Sequence, residues 1–362
     1  MSPLGTAMEA PSTSNEELDA LRGAVRSVLA ARSGEAAVRA TEASEHGFDR
    51  ATWKLLSDQL GLQGLLAPLA QGGGGAGFRE LVVVLEECGR DLYPGPLLAN
   101  ALALDSLVQG GVEGELVEGL AAGAVFGAVA LHQNGSVVQL KAGALEGTGR
   151  FVLAGASADL FIVEVAEALY LVEPGASGIT VEQLVLPDPT RRLAHVTFDA
   201  TPARLISGKD GVRRLRSAAC VGIAAEQVGG SEAALHSAIA YAKVRTQFGR
   251  TIGSFQSLKH HCAEVFLQIE SGRAAVRRGA LALDEHNSEQ ELLASIAKAW
   301  CSDTYTHAVE SSLQIHGGIG FTWEHLTHYH LKRAKTSELL FGDSRYHRHH
   351  LAGLLGLRRS SS

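Results

Sequence analysis

The chain is sparing with cysteine. Cys88, Cys220, Cys262 and Cys301 are its four thiols in 362 residues, and no two form a Cys-x-x-Cys pair. Scattered single thiols build neither a disulfide framework nor a zinc site, and they read as buried thiols in a reducing compartment. Long hydrophobic runs are also missing. None reaches the roughly 18–20 residues that a helix needs to span a bilayer, so no membrane association is expected. Met1 to Asn15 has no basic segment followed by an apolar core, which excludes a secretory signal. Residues 1–15 read as a disordered leader, and a cytoplasmic location is the expectation. Positive charge is not in excess either. A net charge of −7 without a long Lys/Arg run speaks against a nucleic-acid surface.

What is present is an ordinary globular composition, 46% hydrophobic and 20% charged. A chain of 362 residues is long for one core, so two or three domains are expected. Residues 16–124 read as a helical domain. Leu18, Leu21, Val25, Val28 and Leu29 recur at three- and four-residue spacing, the stripe of an amphipathic helix. Phe48 to Leu60 predicts another helix, stopped at Gly61. Gly72 to Gly75 is a glycine run without the following Lys-Ser/Thr of a phosphate loop, so it reads as a flexible turn. Leu81 to Arg90 is helical, and Tyr93-Pro94-Gly95-Pro96 breaks it.

Residues 125–206 change texture. Val125–Leu131, Val137–Lys141, Phe151–Leu153, Leu160–Val165, Leu169–Val172 and Ala194–Phe198 read as strands of a small β-barrel or sandwich. Residues 207–362 are helical again. Cys220–Val244, an apolar face of Phe255, Leu258, Cys262, Val265, Phe266 and Ile269, then Leu292–His316 and Tyr329–Leu340, predict an antiparallel four-helix bundle.

Two segments of this last region carry chemistry. In Arg245-Thr246-Gln247-Phe248-Gly249-Arg250, the guanidinium of Arg245 suits a diphosphate through paired hydrogen bonds. Gln247 adds an amide, Phe248 a ring for an adenine or flavin, and Gly249 permits the left-handed turn expected to end the helix. Gln256 opens the next helix with a further amide. Arg245 alone would simply cap a helix C-terminus. The second segment is Gln314-Ile315-His316-Gly317-Gly318-Ile319-Gly320-Phe321, where Gly317 and Gly318 let backbone approach a ligand closely. His316 reads as a packing residue.

Together and in this order, the two segments resemble the C-terminal domain of the acyl-CoA dehydrogenases. The resemblance extends over nearly the whole chain. It implies an α+β multidomain fold with an N-terminal helical domain, a small middle β-barrel domain and a C-terminal four-helix bundle. It implies FAD as cofactor, an acyl-CoA substrate and electron-transfer flavoprotein as acceptor. In the family the two segments hold the ADP end of FAD, usually across a subunit boundary. The resemblance therefore gives Arg245, Gln247, Phe248, Gln256, Gln314, Gly317 and Gly318 as cofactor contacts.

The reaction centre departs from the family. A carboxylate must take the α-proton of the thioester while a hydride leaves the β-carbon. The usual base position, before a glycine near the chain end, is Phe341 here. The alternative position on the helix leading to Arg245 is Ala219. Neither side chain accepts a proton. Glu226 and Asp343 are the acids nearby. The family's flavin-cradling Thr-Glu-Pro segment is replaced by Ala130-Leu131-His132-Gln133, and Asp188-Pro189-Thr190-Arg191-Arg192 resembles a turn of divergent members. His347 and His350 share a helix face, but Arg348 lies between them and no nearby acid or thiol completes a metal set, so no metal is expected. A solvated face or a CoA-phosphate contact is the expectation there. Asp303, His307 and Glu310 read as bundle surface.

The resemblance points to the heteromeric enzymes of actinobacterial steroid side-chain degradation. This chain matches the degenerate subunit, which completes the FAD site of a homologous partner in an α2β2 heterotetramer. Two alternatives stay open. One is an active homo-oligomer with a relocated acid, and the other a flavin-free binding protein or repurposed enzyme.

Overall fold

The computed structural model describes residues 13–32, 35–42, 44, 47–133, 135–322 and 325–357. Most of the expected leader lies outside the described residues. The N-terminal region holds six helices: α1 (Asn15–Ala30), α2 (Glu35–Glu42), α3 (Arg50–Leu60), α4 (Phe78–Arg90), α5 (Leu97–Gln109) and α6 (Glu115–Ala121). Local chemistry sets several ends. Ser14 and Glu17 form a reciprocal capping box on α1, Asp49 caps α3, and Gly61 closes α3 in the left-handed conformation at φ 60°. The glycine run is a turn between α3 and α4. The α5 helix carries no polar stripe because it is buried all round, so periodicity does not reveal it.

The middle region forms two four-stranded sheets. The strands are β1 (Gly127–Ala130), β2 (Val137–Lys141), β3 (Ala144–Leu153), β4 (Leu160–Val165), β5 (Ala168–Val172), β6 (Ile179–Gln183), β7 (Leu193–Pro202) and β8 (Arg204–Ser207). One sheet runs β1-β4-β5-β8 with β1 and β4 parallel, and the other runs β2-β3-β7-β6. Alternate residues of the first sheet go to different cores. Ala128, Phe161 and Val163 pack against Val196 and Phe198 of the second sheet, whereas Val129, Leu160 and Ile162 join the helical core. That double burial explains the unbroken apolar run at 160–163. Strands β6 and β8 lacked a sequence signal because they are mostly exposed edges.

The C-terminal region holds α7 (Lys209–Val244), a short hairpin of β9 (Thr246–Gln247) and β10 (Arg250–Thr251), α8 (Gln256–Asp284), α9 (Gln290–His316), α10 (Thr327–Leu339) and α11 (Ser344–Leu354). The α7 helix starts well before Cys220. Its interior glycines are contact points, not breaks. A Cβ on Gly229 would lie 1.7 Å from the Glu86 carbonyl oxygen, and one on Gly89 would lie 1.9 Å from that of Glu226. These reciprocal glycines let α4 and α7 cross backbone to backbone. Phe266, expected on the apolar face of α8, is 56% exposed.

Candidate functional site

The α7 helix ends at Val244, and Arg245 follows in an extended conformation. Gly249 does not end this helix. Phe248 at φ 53° and Gly249 at φ 77° form the two left-handed positions of the β9–β10 turn. The Arg245 carbonyl accepts from Ile252 N at 2.8 Å, which ties the hairpin back to the helix end. Phe248 is 91% exposed at the hairpin tip.

The second segment lies beside this one. His316 is buried at the end of α9, its ring 4.7 Å from that of Tyr241 on the last turns of α7. Its Nδ1 donates to the Ser312 carbonyl at 2.7 Å. The packing role read for His316 is thus what the geometry gives it. Gly317 follows at φ 62°, and a Cβ at Gly317 or Gly318 would meet nothing within 4 Å. Arg245, Gln247, Phe248, Gln256, Gln314, Gly317 and Gly318 are all exposed at this end of the bundle. Among the described residues Arg245 has no ion-pair partner. An unneutralised guanidinium, three amides and open glycine backbone fit the diphosphate and adenosine of FAD.

The other end of α7 borders a cavity of about 320 Å³. Its walls come from Leu131–Gln133, Arg216, Ser217 and Cys220, the first turns of α9, and the turn from Leu339 through α11. Phe341 sits in this wall with φ 60° and its ring buried. The turn is held from three sides. His347 Nε2 donates to the Phe341 carbonyl at 2.9 Å, Cys220 Sγ lies 3.8 Å from the same oxygen, and Lys298 Nζ donates to the Glu338 carbonyl at 3.0 Å. Burial pushes the Cys220 thiol up to about 12, lowers Lys298 to about 8 and lowers His347 to about 4. A neutral imidazole at His347 therefore donates to Phe341 while its Nδ1 faces Ser295 Oγ at 3.3 Å.

The four residues weighed for the base separate clearly. Ala219 is fully buried in the core. Phe341 lines the cavity without a proton acceptor. Asp343 also lines it, but accepts from Tyr346 N at 2.6 Å as the cap of α11. Glu226 does not reach this cavity. It pairs with Arg191 and lies 3.6 Å from Arg333, in a buried cluster with Asp188. Arg333 also donates to the Thr190 carbonyl at 2.6 Å and to that of Tyr93 at 3.2 Å. The Asp188–Arg192 turn is therefore a clamp joining the β region to α4, α7 and α10.

The histidine tail is not a solvated face. His347 is buried, and His350 Nε2 donates to Glu291 Oε1 at 2.8 Å across the cavity wall. An acid thus does reach the tail, from α9, although it lies far away in sequence. Among the described residues no group of three or more His, Cys, Asp or Glu is placed to hold a metal ion. Arg348 pairs with Asp303 on the bundle surface. The sequence reading missed Glu291 and Lys298, since nothing local distinguishes either from a helix-surface charge. Arg216 is the cavity's arginine, and buried Glu164 already neutralises it. No helix among the described residues is long and apolar enough to cross a membrane.

Comparison with known proteins agrees with this architecture. Residues 15–114 match the acyl-CoA dehydrogenase N-terminal domain, and residues 212–355 match the acyl-CoA dehydrogenase C-terminal domain. Acyl-CoA dehydrogenase IpdE2 of Mycobacterium tuberculosis is 34% identical over 92% of this chain and 95% of its own length. Acyl-CoA dehydrogenase FadE34 of the same organism is 33% identical over 89% of this chain, which spans 45% of FadE34. A solved variant of the Tcur3481–Tcur3483 steroid ACAD superposes with TM-score 0.88 at 28% identity, covering 94% of this chain and 98% of that one. The chain belongs to the acyl-CoA dehydrogenase family of FAD-dependent oxidoreductases.

Proposed function

We propose that this chain is a base-lacking acyl-CoA dehydrogenase subunit that completes the FAD site of a homologous partner. The observation that carries this reading is a distance. Cys220 lines the cavity and Arg245 ends the same helix, roughly 37 Å away at 1.5 Å per residue. Along α9, Glu291 and Gln314 are separated by roughly 34 Å in the same way. An extended flavin adenine dinucleotide is shorter than either span. The cavity and the bundle end therefore serve different ligands, and the bundle end faces outward toward a FAD held elsewhere.

The cavity is poorly suited to the redox step. Two carboxylates, Glu291 and Asp343, border it, and Arg216 is already paired with Glu164. Negative charge developing on an electron-accepting ring would find no free cation there. Both usual base positions, Phe341 and Ala219, are apolar. In the assembly, FAD supplies the hydride acceptor and the partner supplies the base. This chain supplies Arg245 to the diphosphate, Gln247, Gln256 and Gln314 as amide donors, Phe248 as a ring contact, and Gly317 and Gly318 as open backbone.

FadE34 accommodates this chain in less than half of its length, which leaves room for a second unit of similar size in one polypeptide. The two-component name of the steroid ACAD relative points the same way. Steroid-derived acyl-CoA is the substrate class these relatives favour, electron-transfer flavoprotein the acceptor and α2β2 the assembly. The test is co-expression with a homologous chain from the same genome that keeps the family's glutamate. Flavin and acyl-CoA oxidation should appear only in the co-purified assembly. An active homo-oligomer predicts both in the chain alone, and a flavin-free protein predicts neither in any assembly.

A further inference from the structure

The solvent-facing sides of α8 and α9 form two parallel ridges that start at the proposed cofactor contacts. On α8 the ridge runs from Gln256 through His260, Leu267 and Ser271 to Arg278, at helical spacing. On α9 it runs from Gln314 back through Asp303 and Trp300 to Ile296. The middle of these ridges is apolar and uncovered: Leu267 is 67% exposed, Trp300 44% and Ile296 40%. Trp300 reaches across from α9 and donates its Nε1 hydrogen to the Gln268 carbonyl at 2.9 Å. Its ring rests near Gly272, where a Cβ would stand 3.4 Å from Cδ1. The indole is thus fixed in one orientation with nearly half its surface in water. A pre-ordered tryptophan amid aliphatic side chains is the usual chemistry of an interface anchor.

We infer that this α8–α9 face, centred on Trp300 and Leu267, is where the homologous partner chain docks. The inference rests on the proposed function, and it adds the surface that brings the partner's FAD to Arg245 and Gln314. The occupant is argued from two observations. The ridges lead directly to the exposed cofactor contacts, so a chain whose FAD touches those contacts also overlies the ridges. The FadE34 relationship supplies a companion unit of similar size. Leu267 and Ile296 add apolar area on either side of the indole, and the polar ridge ends form the rim.

The test uses the full chain co-expressed with the glutamate-bearing homologue, with Trp300→Glu and Leu267→Glu variants beside Arg245→Ala. Both glutamate variants should lower co-purification at least 10-fold and abolish assembly-bound flavin. Circular dichroism of the variant chain should be unchanged. Arg245→Ala should keep the assembly and lose flavin. Leu267 makes no side-chain hydrogen bond, so its variant reports on docking even where Trp300→Glu fails to fold. Normal assembly and flavin content in a folded Leu267→Glu variant would overturn the inference and leave the proposed function intact. Conversion of a self-associated chain into monomers by either variant, with partner binding unaffected, would assign the face to a second copy and also overturn it. If the wild-type pair forms no flavin-containing assembly, the proposed function itself fails, and the inference falls with it.

Discussion

Lys298 is a full positive charge in a fully buried site, held by Ser302 Oγ at 2.9 Å and the Glu338 carbonyl at 3.0 Å. Its folded pKa of about 8 lies below the ordinary 10.5, so between these values the unfolded chain binds more protons than the native one. Stability should then rise with pH through that window, on the order of 1–3 kcal/mol in total. Urea melts at pH 7.5 and 9.5 measure this, and a Lys298→Met variant should lose the rise. His347 acts in the same direction at lower pH. Its pKa is depressed from 6.5 to about 4, so its contribution is complete above 6.5 and lost as pH falls toward 4. A His347→Gln variant should show a flatter acid limb. Neither residue was legible as buried from sequence. Lys298 sits on α9 among alanines that could equally face solvent, and His347 belongs to a tail whose apolar face depends on distant Phe341 and Ser295. Arg245 and the Gly317-Gly318 pair were legible because residue type and order carry the family resemblance without tertiary contacts.

Elements announced themselves where local chemistry and burial agree. Ser14 and Asp49 cap α1 and α3, and the strands Val137–Lys141 and Leu160–Val165 begin and end where pattern alone put them. They were obscure where tertiary packing overrides local preference. The start of α7 is charged and reads as loop, yet Arg214 in it is buried against Asp105 at 2.9 Å. The glycines of α7 weaken the helix locally, and only the crossing with α4 explains them. Gly229→Ala should therefore destabilise strongly, by about 3 kcal/mol, because its Cβ would overlap the backbone of α4. The midpoint of urea unfolding reads this. An unchanged midpoint would mean that the α4–α7 crossing tolerates a gap. Arg333→Ala should cost about 3–5 kcal/mol, since it leaves Glu226 and Asp188 less compensated in the buried clamp between regions.

The whole molecule presents one end to a cofactor and keeps its interior closed around the turn where the family's base stands. Both parts rest on helices α7 and α9, and the length of those helices separates them beyond the reach of one dinucleotide. The family and its three-part architecture were readable from motif order and texture. The separation of the two sites was not, because it depends on how far each helix runs before it turns. The most direct measurement is the flavin spectrum of the chain purified alone and together with its glutamate-bearing homologue. A colourless chain alone, a yellow assembly bleached by acyl-CoA, and FAD affinity at least about 10-fold weaker in the Arg245→Ala assembly are the predicted results. A chain that is yellow alone and bleached by acyl-CoA would contradict the account.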